Sequence, residues 1–189
     1  MTIRSKTVCV KCLAIILSVL ACGNVVAEDK AAEISVKADI AHKIARFVSW
    51  PDGRFERQDM PLRFCVLGDQ VTLDAFGVLT DRPIHGRSLE VLLAPDPLLV
   101  ARSCDVLYFG EGDERNPVDW LASVAGQPVL TFGEAGRYGG DGSIVTMTVR
   151  RDRVSFSINL EANERTGLRI SAQLLQLAAF VGSPGGSGQ

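Results

Sequence analysis

The clearest alternation of apolar and polar positions lies within residues 143–181. Residues 153–160 alternate strictly, with apolar side chains at the even positions and polar ones at the odd positions. This pattern predicts a β-strand with one buried face. If the strand folds back on residues 145–150 about Arg151 and Asp152, apolar residues face each other in the pairs Val149–Val154, Met147–Phe156 and Val145–Ile158. We therefore predict an antiparallel hairpin in that register.

A helix is predicted to follow the hairpin. Gly167 interrupts the chain, and Ser171 has the hydroxyl needed to cap a helix N-terminus. An apolar stripe at helical spacing comes next, formed by Leu174, Leu175, Ala178 and Val181. We expect this stripe to cover the apolar face of the hairpin.

Upstream, short apolar runs alternate with helical periodicity. The apolar runs predict strands at residues 62–67, 89–93, 104–109 and 128–132. Spacings of three and four residues predict helices at residues 32–50, 72–79, 98–102 and 117–124, the first of them ended by Pro51. This alternation is typical of an α/β fold with a mainly parallel sheet flanked by helices, which the C-terminal antiparallel hairpin and docking helix extend.

Length and composition favour one domain behind an export signal. The chain has 189 residues, of which 47% are hydrophobic. Residues 1–27 have a basic start, an apolar stretch too short to anchor in a bilayer and a small-residue cleavage site, as a signal peptide does. We assign residues 28–181 to a single domain and residues 182–189, rich in glycine, to a disordered tail. The mature chain then carries 17 basic and 22 acidic residues, which argues against a nucleic-acid partner.

A second processing signal competes with the first. Residues 19–23 resemble a bacterial lipoprotein box, which would make Cys22 a lipid-bearing N-terminus. Cleavage after Ala27 is the interpretation we prefer, because the apolar stretch then has the better length. Both signals place the domain outside the cytoplasm, and we expect it in the periplasm.

The cysteines fit this address. Cys9, Cys12 and Cys22 lie in the targeting segment, so the mature chain keeps Cys65 and Cys104. An even pair in an oxidising compartment predicts a disulfide. The alternative is two buried free thiols, since cysteine is often buried without a bond.

Metal and cofactor chemistry has little support in the sequence. The two histidines, His42 and His85, stand in no ligand spacing with Cys, Asp or Glu. Residues 133–142 include five glycines, but no lysine follows them and a strand comes next. They therefore favour a mobile loop over a phosphate-binding loop. We expect neither a cofactor nor a metal.

Catalytic groups are equally hard to find. The chain has no Gly-x-Ser-x-Gly elbow, and its two mature cysteines are expected to bond to each other. The close carboxylates lie in short polar segments where a solvated surface is the simpler explanation; they are Glu111 with Asp113 and Glu161 with Glu164. We predict no catalytic residue and a protein that binds rather than reacts. A hydrolase of unrecognised type is kept as a rival.

Three stretches together resemble the YfiR-like periplasmic family. They are residues 36–51, which close on Phe-Val-Ser-Trp-Pro, residues 62–68 paired with residues 104–109, and residues 153–178 with their Gly-Leu-Arg-Ile-Ser piece. The resemblance covers nearly all of the mature chain. Two departures stand out: the pair His42-Lys43 replaces a common Tyr-Asn, and the glycine-rich region has no cysteines for the second disulfide of some members.

The resemblance implies a repressor. Such a protein would bind the periplasmic domain of a membrane-bound diguanylate cyclase, hold it inactive, and be released by redox or envelope stress. There are two other candidate partners. One is an outer-membrane lipoprotein that sequesters the repressor, and the other is a second copy of the chain, which would form a homodimer. The alternative is a periplasmic sensor that binds a small molecule and has no cyclase partner.

Five residues are candidates for partner or anion binding. Phe47 and Trp50 are aromatic, as interface hot spots often are, although core or lid positions are the alternative. Arg46, Arg54 and Arg169 would form a basic patch if the first and last helices lie side by side. Three separate, solvated arginines are the alternative to that patch.

Overall fold

The computed structural model describes residues 29–110, 116–136, 142–150 and 153–182. The strands in these ranges are β1 (Val48–Ser49), β2 (Leu62–Leu67), β3 (Leu89–Leu93), β4 (Val106–Phe109), β5 (Leu130–Glu134), β6 (Val145–Arg150), β7 (Arg153–Asn159), β8 (Arg169–Ile170) and β9 (Phe180–Gly182). The helices are α1 (residues 29–45), α2 (Gln70–Gly77), α3 (Pro97–Ser103), α4 (Pro117–Val124), α5 (Leu160–Glu164) and α6 (Ala172–Leu177).

Seven strands form one sheet in the order β3-β2-β4-β5-β6-β7-β9. Pairing is parallel from β3 through β6, antiparallel between β6 and β7, and parallel again between β7 and β9. The remaining strands, β1 and β8, make a separate two-stranded antiparallel ribbon. The predicted α/β class, with a mainly parallel sheet and a C-terminal hairpin, is confirmed.

The hairpin has the predicted register. Its apolar cross-strand pairs are Val145–Ile158, Met147–Phe156 and Val149–Val154. Met147 and Ile158 are buried, while Val154 and Phe156 are half-buried against the same core. The turn at residues 151–152 lies outside the described residues.

The sheet is buried on both faces at its centre. One face packs against residues of α1, α2 and α6, and this layer is the first core. The other face packs against α3 and α4, and this layer is the second core. In β2 this division separates neighbours in the sequence: Phe64 and Val66 join the first core, and Cys65 and Leu67 join the second. Burial on both faces explains why this strand has a continuous apolar run rather than an alternating pattern.

The predicted disulfide joins Cys65 in β2 to Cys104, directly before β4. The two Cα atoms are 5.7 Å apart, as expected for neighbouring parallel strands. Both cysteines are fully buried beneath α3 and α4, among Val100, Trp120 and Val124.

The first predicted helix was too long at its C-terminus. Helix α1 ends at residue 45, and residues 46–47 form a turn. Val48, which continues the apolar spacing of the helix, and the next residue, Ser49, instead pair with β8. Pairing with a distant segment outweighs helical periodicity here, because a strand leaves Val48 buried equally well.

The last predicted helix was also too long. Helix α6 ends at Leu177, and Val181 lies in β9 opposite Ile158, so only the first part of the predicted stripe is helical. Gly182 belongs to β9 rather than to the tail. Ser171 caps α6 as predicted, because its hydroxyl accepts from the Leu174 amide. Leu160 begins α5, which Asn159 caps, instead of ending the hairpin strand.

Among the described residues, no helix combines the length and the apolar composition needed to cross a bilayer. The predicted signal peptide, the competing lipid site at Cys22 and residues 183–189 lie outside the described ranges. So do residues 137–141 of the predicted mobile loop, whose first residues, Gly133 and Glu134, belong to β5.

Candidate functional site

The ribbon of β1 and β8 joins two segments from opposite ends of the chain. Val48 pairs with Ile170 and Ser49 pairs with Arg169. The Ser171 amide extends this pairing by donating to the carbonyl of Phe47 at 3.0 Å. The ribbon therefore places the C-terminal end of α1 beside the residues that lead into α6.

One face of the ribbon is open to solvent. On one face, Val48 is buried and Ile170 packs against the first core. On the other face, Ser49 and Arg169 lie opposite each other. Arg169 is exposed. Phe47 is half-buried and packs partly against the first core, and Arg46, which precedes it, is exposed. We call the set Arg46, Phe47, Ser49 and Arg169 the ribbon surface.

Two other predicted site residues, Trp50 and Arg54, are directed into the protein. Trp50 is 7% exposed, and its indole N–H donates to the Asp105 carbonyl at 3.2 Å. The guanidinium of Arg54 donates to a carboxylate oxygen of Asp105 at 2.8 Å and to the carbonyls of Ala101 and Cys104 at 3.2 and 2.6 Å. The structure thus separates Arg54 from Arg46 and Arg169, and Trp50 and Arg54 fix the segment that leaves the ribbon.

Asp105 organises this segment from beneath. Its side chain is fully buried and accepts from Arg54, from the Arg63 amide at 2.8 Å and from the Arg63 guanidinium at 3.3 and 3.4 Å. A buried carboxylate is stable when charged donors and amides satisfy it in this way. Asp105 was assigned no role from the sequence. A carboxylate at the start of a buried apolar strand does indicate a paired, buried charge, because Asp is almost never fully buried without a partner.

His85 holds the outer edge of β1. Its Nε2–H donates to the Val48 carbonyl at 2.8 Å, and the carbonyl acceptor requires the proton to be on Nε2. His85 has a φ of 52°, in the left-handed region that non-glycine residues rarely adopt. Such backbone strain persists where surrounding contacts impose it, and the bond to Val48 is one of those contacts. From the sequence, His85 was excluded as a metal ligand but was assigned no part in building a surface.

Gly167 is required where the chain enters β8. Its φ is +73°, and a Cβ atom at this position would lie 3.5 Å from the Pro51 side chain. The left-handed backbone turns the chain after α5 so that β8 lies along β1. The Gly-Leu-Arg-Ile-Ser piece of the sequence is thus a turn followed by the second strand of the ribbon.

Charged groups on α1 tie the helix to the sheet. The Lys37 side chain is 2% exposed, and its ammonium lies 2.7 Å from Glu33 and 3.0 Å from Glu134 at the end of β5. Burial lowers the pKa of Lys37, but its hydrogen bonds to the two carboxylates outweigh burial and leave the pKa above its ordinary value. Farther along the helix, Asp39 pairs with Arg82 and with Lys43.

His42 is a buried histidine on the same helix. Its ring donates from Nε2 to the Arg82 carbonyl at 3.1 Å, and its Nδ1 is buried without a hydrogen-bond partner among the described residues. Burial is the main cause that lowers the pKa of His42; the nearby charges of Arg82 and Arg46 also lower it, while the Arg82 carbonyl and Asp39 oppose them. The imidazole is therefore neutral in the folded protein at neutral pH.

We expect His42 to make folding stability depend on pH. The unfolded chain takes up a proton as the pH falls through about 6.5, while folded His42 resists protonation to a lower pH. The contribution of neutral His42 to the free energy of unfolding is thus complete above about pH 6.5. It is lost as the pH falls towards the pKa of His42 in the folded protein, and the free energy of unfolding then falls by at most about 1.4 kcal/mol per pH unit. Urea denaturation of the wild type and of His42→Gln between pH 7.5 and 5 measures it. A variant with the wild-type slope would contradict the assignment.

The described residues offer no metal centre, since none of them form a group of three or more His, Cys, Asp or Glu side chains suited to a metal ion. Glu161 and Glu164 lie on the short helix α5, and Glu111 and Asp113 fall outside the described ranges. The ribbon surface presents one half-buried aromatic ring, Phe47, and two exposed arginines, Arg46 and Arg169.

A family model described as YfiR/HmsC-like matches residues 34–179. The matched region runs from the first turns of α1 to the residues after α6, so it includes both strands of the ribbon, the disulfide and Asp105. The chain belongs to the YfiR/HmsC-like family.

Proposed function

We propose that the protein is a periplasmic repressor that binds the periplasmic domain of an inner-membrane diguanylate cyclase and lowers cyclic di-GMP synthesis. Membership of the YfiR/HmsC-like family is the observation that carries this proposal, because the family suggests a periplasmic regulator of such a cyclase. A regulator acts on its target by population shift. It must therefore bind the inactive state of the cyclase more tightly than the active state.

The ribbon surface is the part of the molecule that we propose contacts the cyclase. It combines a half-buried aromatic ring at Phe47 with the exposed guanidinium groups of Arg46 and Arg169. Aromatic residues, including phenylalanine, and arginine are enriched at protein interfaces, and arginine is also enriched in hot spots. The arginines favour an acidic patch on the partner, since a guanidinium binds carboxylates in a bidentate fork.

The buried disulfide bears on how the repressor is released. Cys65 and Cys104 are both 0% exposed, so a reductant reaches the sulfur atoms only after α3 or α4 opens locally. This supports release by a competing envelope protein, such as an outer-membrane lipoprotein that sequesters the repressor, over direct reduction of the bond.

A second candidate function, small-molecule sensing, has one observation in its favour. A cavity of about 260 Å³ lies between α4, β5 and α5, with apolar walls that include Leu121, Val129 and Ile144. The exposed side chains of Glu161 and Arg165 also line it. In this function Arg165 would meet the ligand, and Arg169 would have no part in recognition.

Deleting the gene should raise cyclic di-GMP, and the rise should vanish when the partner cyclase is also deleted. Restoring the gene with Arg169→Glu should relieve repression, because a charge reversal within an interface weakens binding by about tenfold or more. The melting temperature should not change, since Arg169 is exposed. Cyclic di-GMP level, with repressor abundance measured by immunoblot, is the readout.

Arg153→Glu is the matched control. Arg153 is also exposed, but it lies at the start of β7. The chain leads to α5 and the ribbon from the other end of this strand, about 20 Å from Arg153 at 3.3 Å per residue. This variant should repress normally. A folded Arg169→Glu protein that represses normally would exclude the ribbon surface, and an unchanged cyclic di-GMP level in the deletion strain would exclude the cyclase.

A further inference from the structure

The strand β3 is an open edge of the seven-stranded sheet, and β2 is its neighbour there. The Leu62 amide donates to Ser88 at 2.9 Å, and the Ala94 amide donates to Val66 at 2.8 Å. Alternate residues of a parallel strand bond to the same neighbour, so the even-numbered residues of β3 bond to β2. The amides and carbonyls of Leu89, Val91 and Leu93 therefore point away from the sheet, where no described residue bonds to them.

This edge is apolar as well as open. Leu92 is 36% exposed and Leu93 is 52% exposed, and Val78 on the neighbouring end of α2 is 70% exposed. A groove of about 610 Å³ separates the strand from α2, with Leu73, Val78 and Val91 in its walls. Exposed edges normally carry charged residues, proline or a bulge that prevents pairing, and β3, with the sequence Leu-Glu-Val-Leu-Leu, has a single charge at Glu90. A weakly protected edge strand beside a helix is an arrangement that can bind peptides by strand addition.

Asp74 in the groove and Glu90 on β3 are both negative, but they lie on opposite faces of the sheet. Asp74 is the charged residue among the described lining residues of the groove, and it accepts a hydrogen bond from Gln70 at 2.7 Å. Glu90 is exposed and pairs in register with Arg63, next to the Cys65–Leu92 pair, so its side chain lies on the face away from α2. An added strand that places apolar side chains in the groove places the intervening side chains beside Glu90, where lysine or arginine is favoured and further carboxylates are repelled.

Two other occupants fit less well. A second copy that paired through its own β3 would bring Asp74 and Glu90 from each molecule to one interface. The C-terminal residues 183–189 leave from β9, at the opposite edge, six strand spacings away, which is about 29 Å. Seven residues reach at most about 25 Å, and this segment has neither apolar side chains for the groove nor a basic residue.

We propose that the β3 edge and the groove beside α2 bind an extended segment of a partner protein, which adds to the sheet as a further strand. The segment has apolar side chains at alternate positions, to fill the groove, and between them at least one lysine or arginine, to meet Glu90 on the other face of the sheet. This docking edge is distinct from the ribbon surface and does not depend on the partner being a cyclase.

The test uses two blocked hexapeptides, one alternating valine with lysine and one alternating valine with glutamate. Fluorescence anisotropy measures their affinity, and hydrogen exchange by NMR measures protection of the β3 amides. The lysine peptide should bind and should protect the amides of Leu89, Val91 and Leu93. The glutamate peptide should bind at least about tenfold more weakly, because its charges lie on the same face as Glu90 and are repelled by it.

Three variants sharpen the test. Val91→Pro removes an outward amide without breaking a bond to β2, so it should abolish binding of the lysine peptide. Glu90→Lys, at an exposed position on the face away from α2, keeps the test decisive if the proline variant is unfolded, and it should weaken binding by about tenfold or more. Glu164→Lys, an exposed substitution on α5, is the control that should leave affinity unchanged.

Several results would overturn the proposal. Equal affinity for the two peptides would exclude the charge requirement, and unprotected outward amides would exclude strand addition. A wild-type dimer that Val91→Pro dissociates in sedimentation would assign the edge to a second copy. Outward amides already protected without peptide, and exposed when the residues before 29 are removed, would assign it to the chain's own N-terminal segment.

Discussion

Replacing Asp105 by alanine should lower the free energy of unfolding by about 3–5 kcal/mol, the range for removing one partner of a buried ion pair. The Asp105 side chain is 0% exposed and the Arg54 side chain is only 12% exposed. Without the carboxylate, the Arg54 guanidinium keeps its carbonyl partners but loses its counter-charge, and the Arg63 amide loses its acceptor. Urea denaturation, followed by tryptophan fluorescence, measures the loss.

Two control variants test whether the loss of stability comes from removing the buried charge of Asp105. Asp105→Asn keeps the shape and can keep one acceptor oxygen but removes the charge, so it should fall between the wild type and Asp105→Ala. Asp119→Ala, at an exposed position in the first turn of α4, should change stability by less than about 1 kcal/mol. An Asp105→Ala protein as stable as the wild type would show that the arginines are satisfied by solvent, and the buried pair would lose its structural importance.

The same substitution links stability to the ribbon surface. Arg54 and Trp50 both bond to Asp105 and follow β1 directly, so this contact fixes the direction in which the chain leaves the ribbon. Pro51, between them, packs beside Gly167 at the entrance to β8. Loosening of this segment therefore reaches both strands of the ribbon. We infer that Trp50 and Arg54 support the proposed binding surface rather than contact a partner.

The central sheet follows from the sequence because its signals are local. The strands β2 and β3 and the helix α4 have the predicted bounds, each marked by an apolar run or a helical stripe between glycine, proline or polar residues. The hairpin register also follows, since a slip of one residue would expose its apolar face.

The ribbon was not predicted, because nothing local specifies it. Its strands have two residues each, and each becomes a strand only when the other is present. Val48 continues the spacing of α1, and Val181 continues the spacing of α6, so periodicity extended both helices over residues that form strands. Helical spacing and strand burial both place such a residue in the core, and only tertiary pairing decides between them.

The residues of the candidate site also fall into two groups, those that the sequence analysis named and those that it missed. Arg46, Phe47 and Arg169 were named from the sequence by residue type, and the structure brings the segments that contain them together; their role in binding stays a prediction. Asp105 and His85 were missed because their partners, Arg54 and Val48, are distant in sequence. A sequence shows which side chains are polar, but hydrogen-bond partners across the fold determine which of them build a surface.

Replacing both Cys65 and Cys104 by alanine should lower the free energy of unfolding by about 4 kcal/mol on the chain-entropy model. The two residues are 39 positions apart, and the bond keeps this loop closed in the unfolded chain. Loss of the buried sulfur atoms adds a small packing term, because both sites lie inside the second core. Urea denaturation of oxidised wild type, reduced wild type and the double variant separates the bond from the packing.

The same proteins test whether the bond is a structural link or a redox switch. Dithiothreitol should leave the native wild type oxidised for as long as α3 and α4 cover the sulfur atoms, and should reduce it quickly in denaturing urea. Mass spectrometry after alkylation reads the thiols in each condition. Rapid reduction of the native protein, with little loss of stability, would contradict the structural role and favour oxidation state as the signal that releases the proposed repressor.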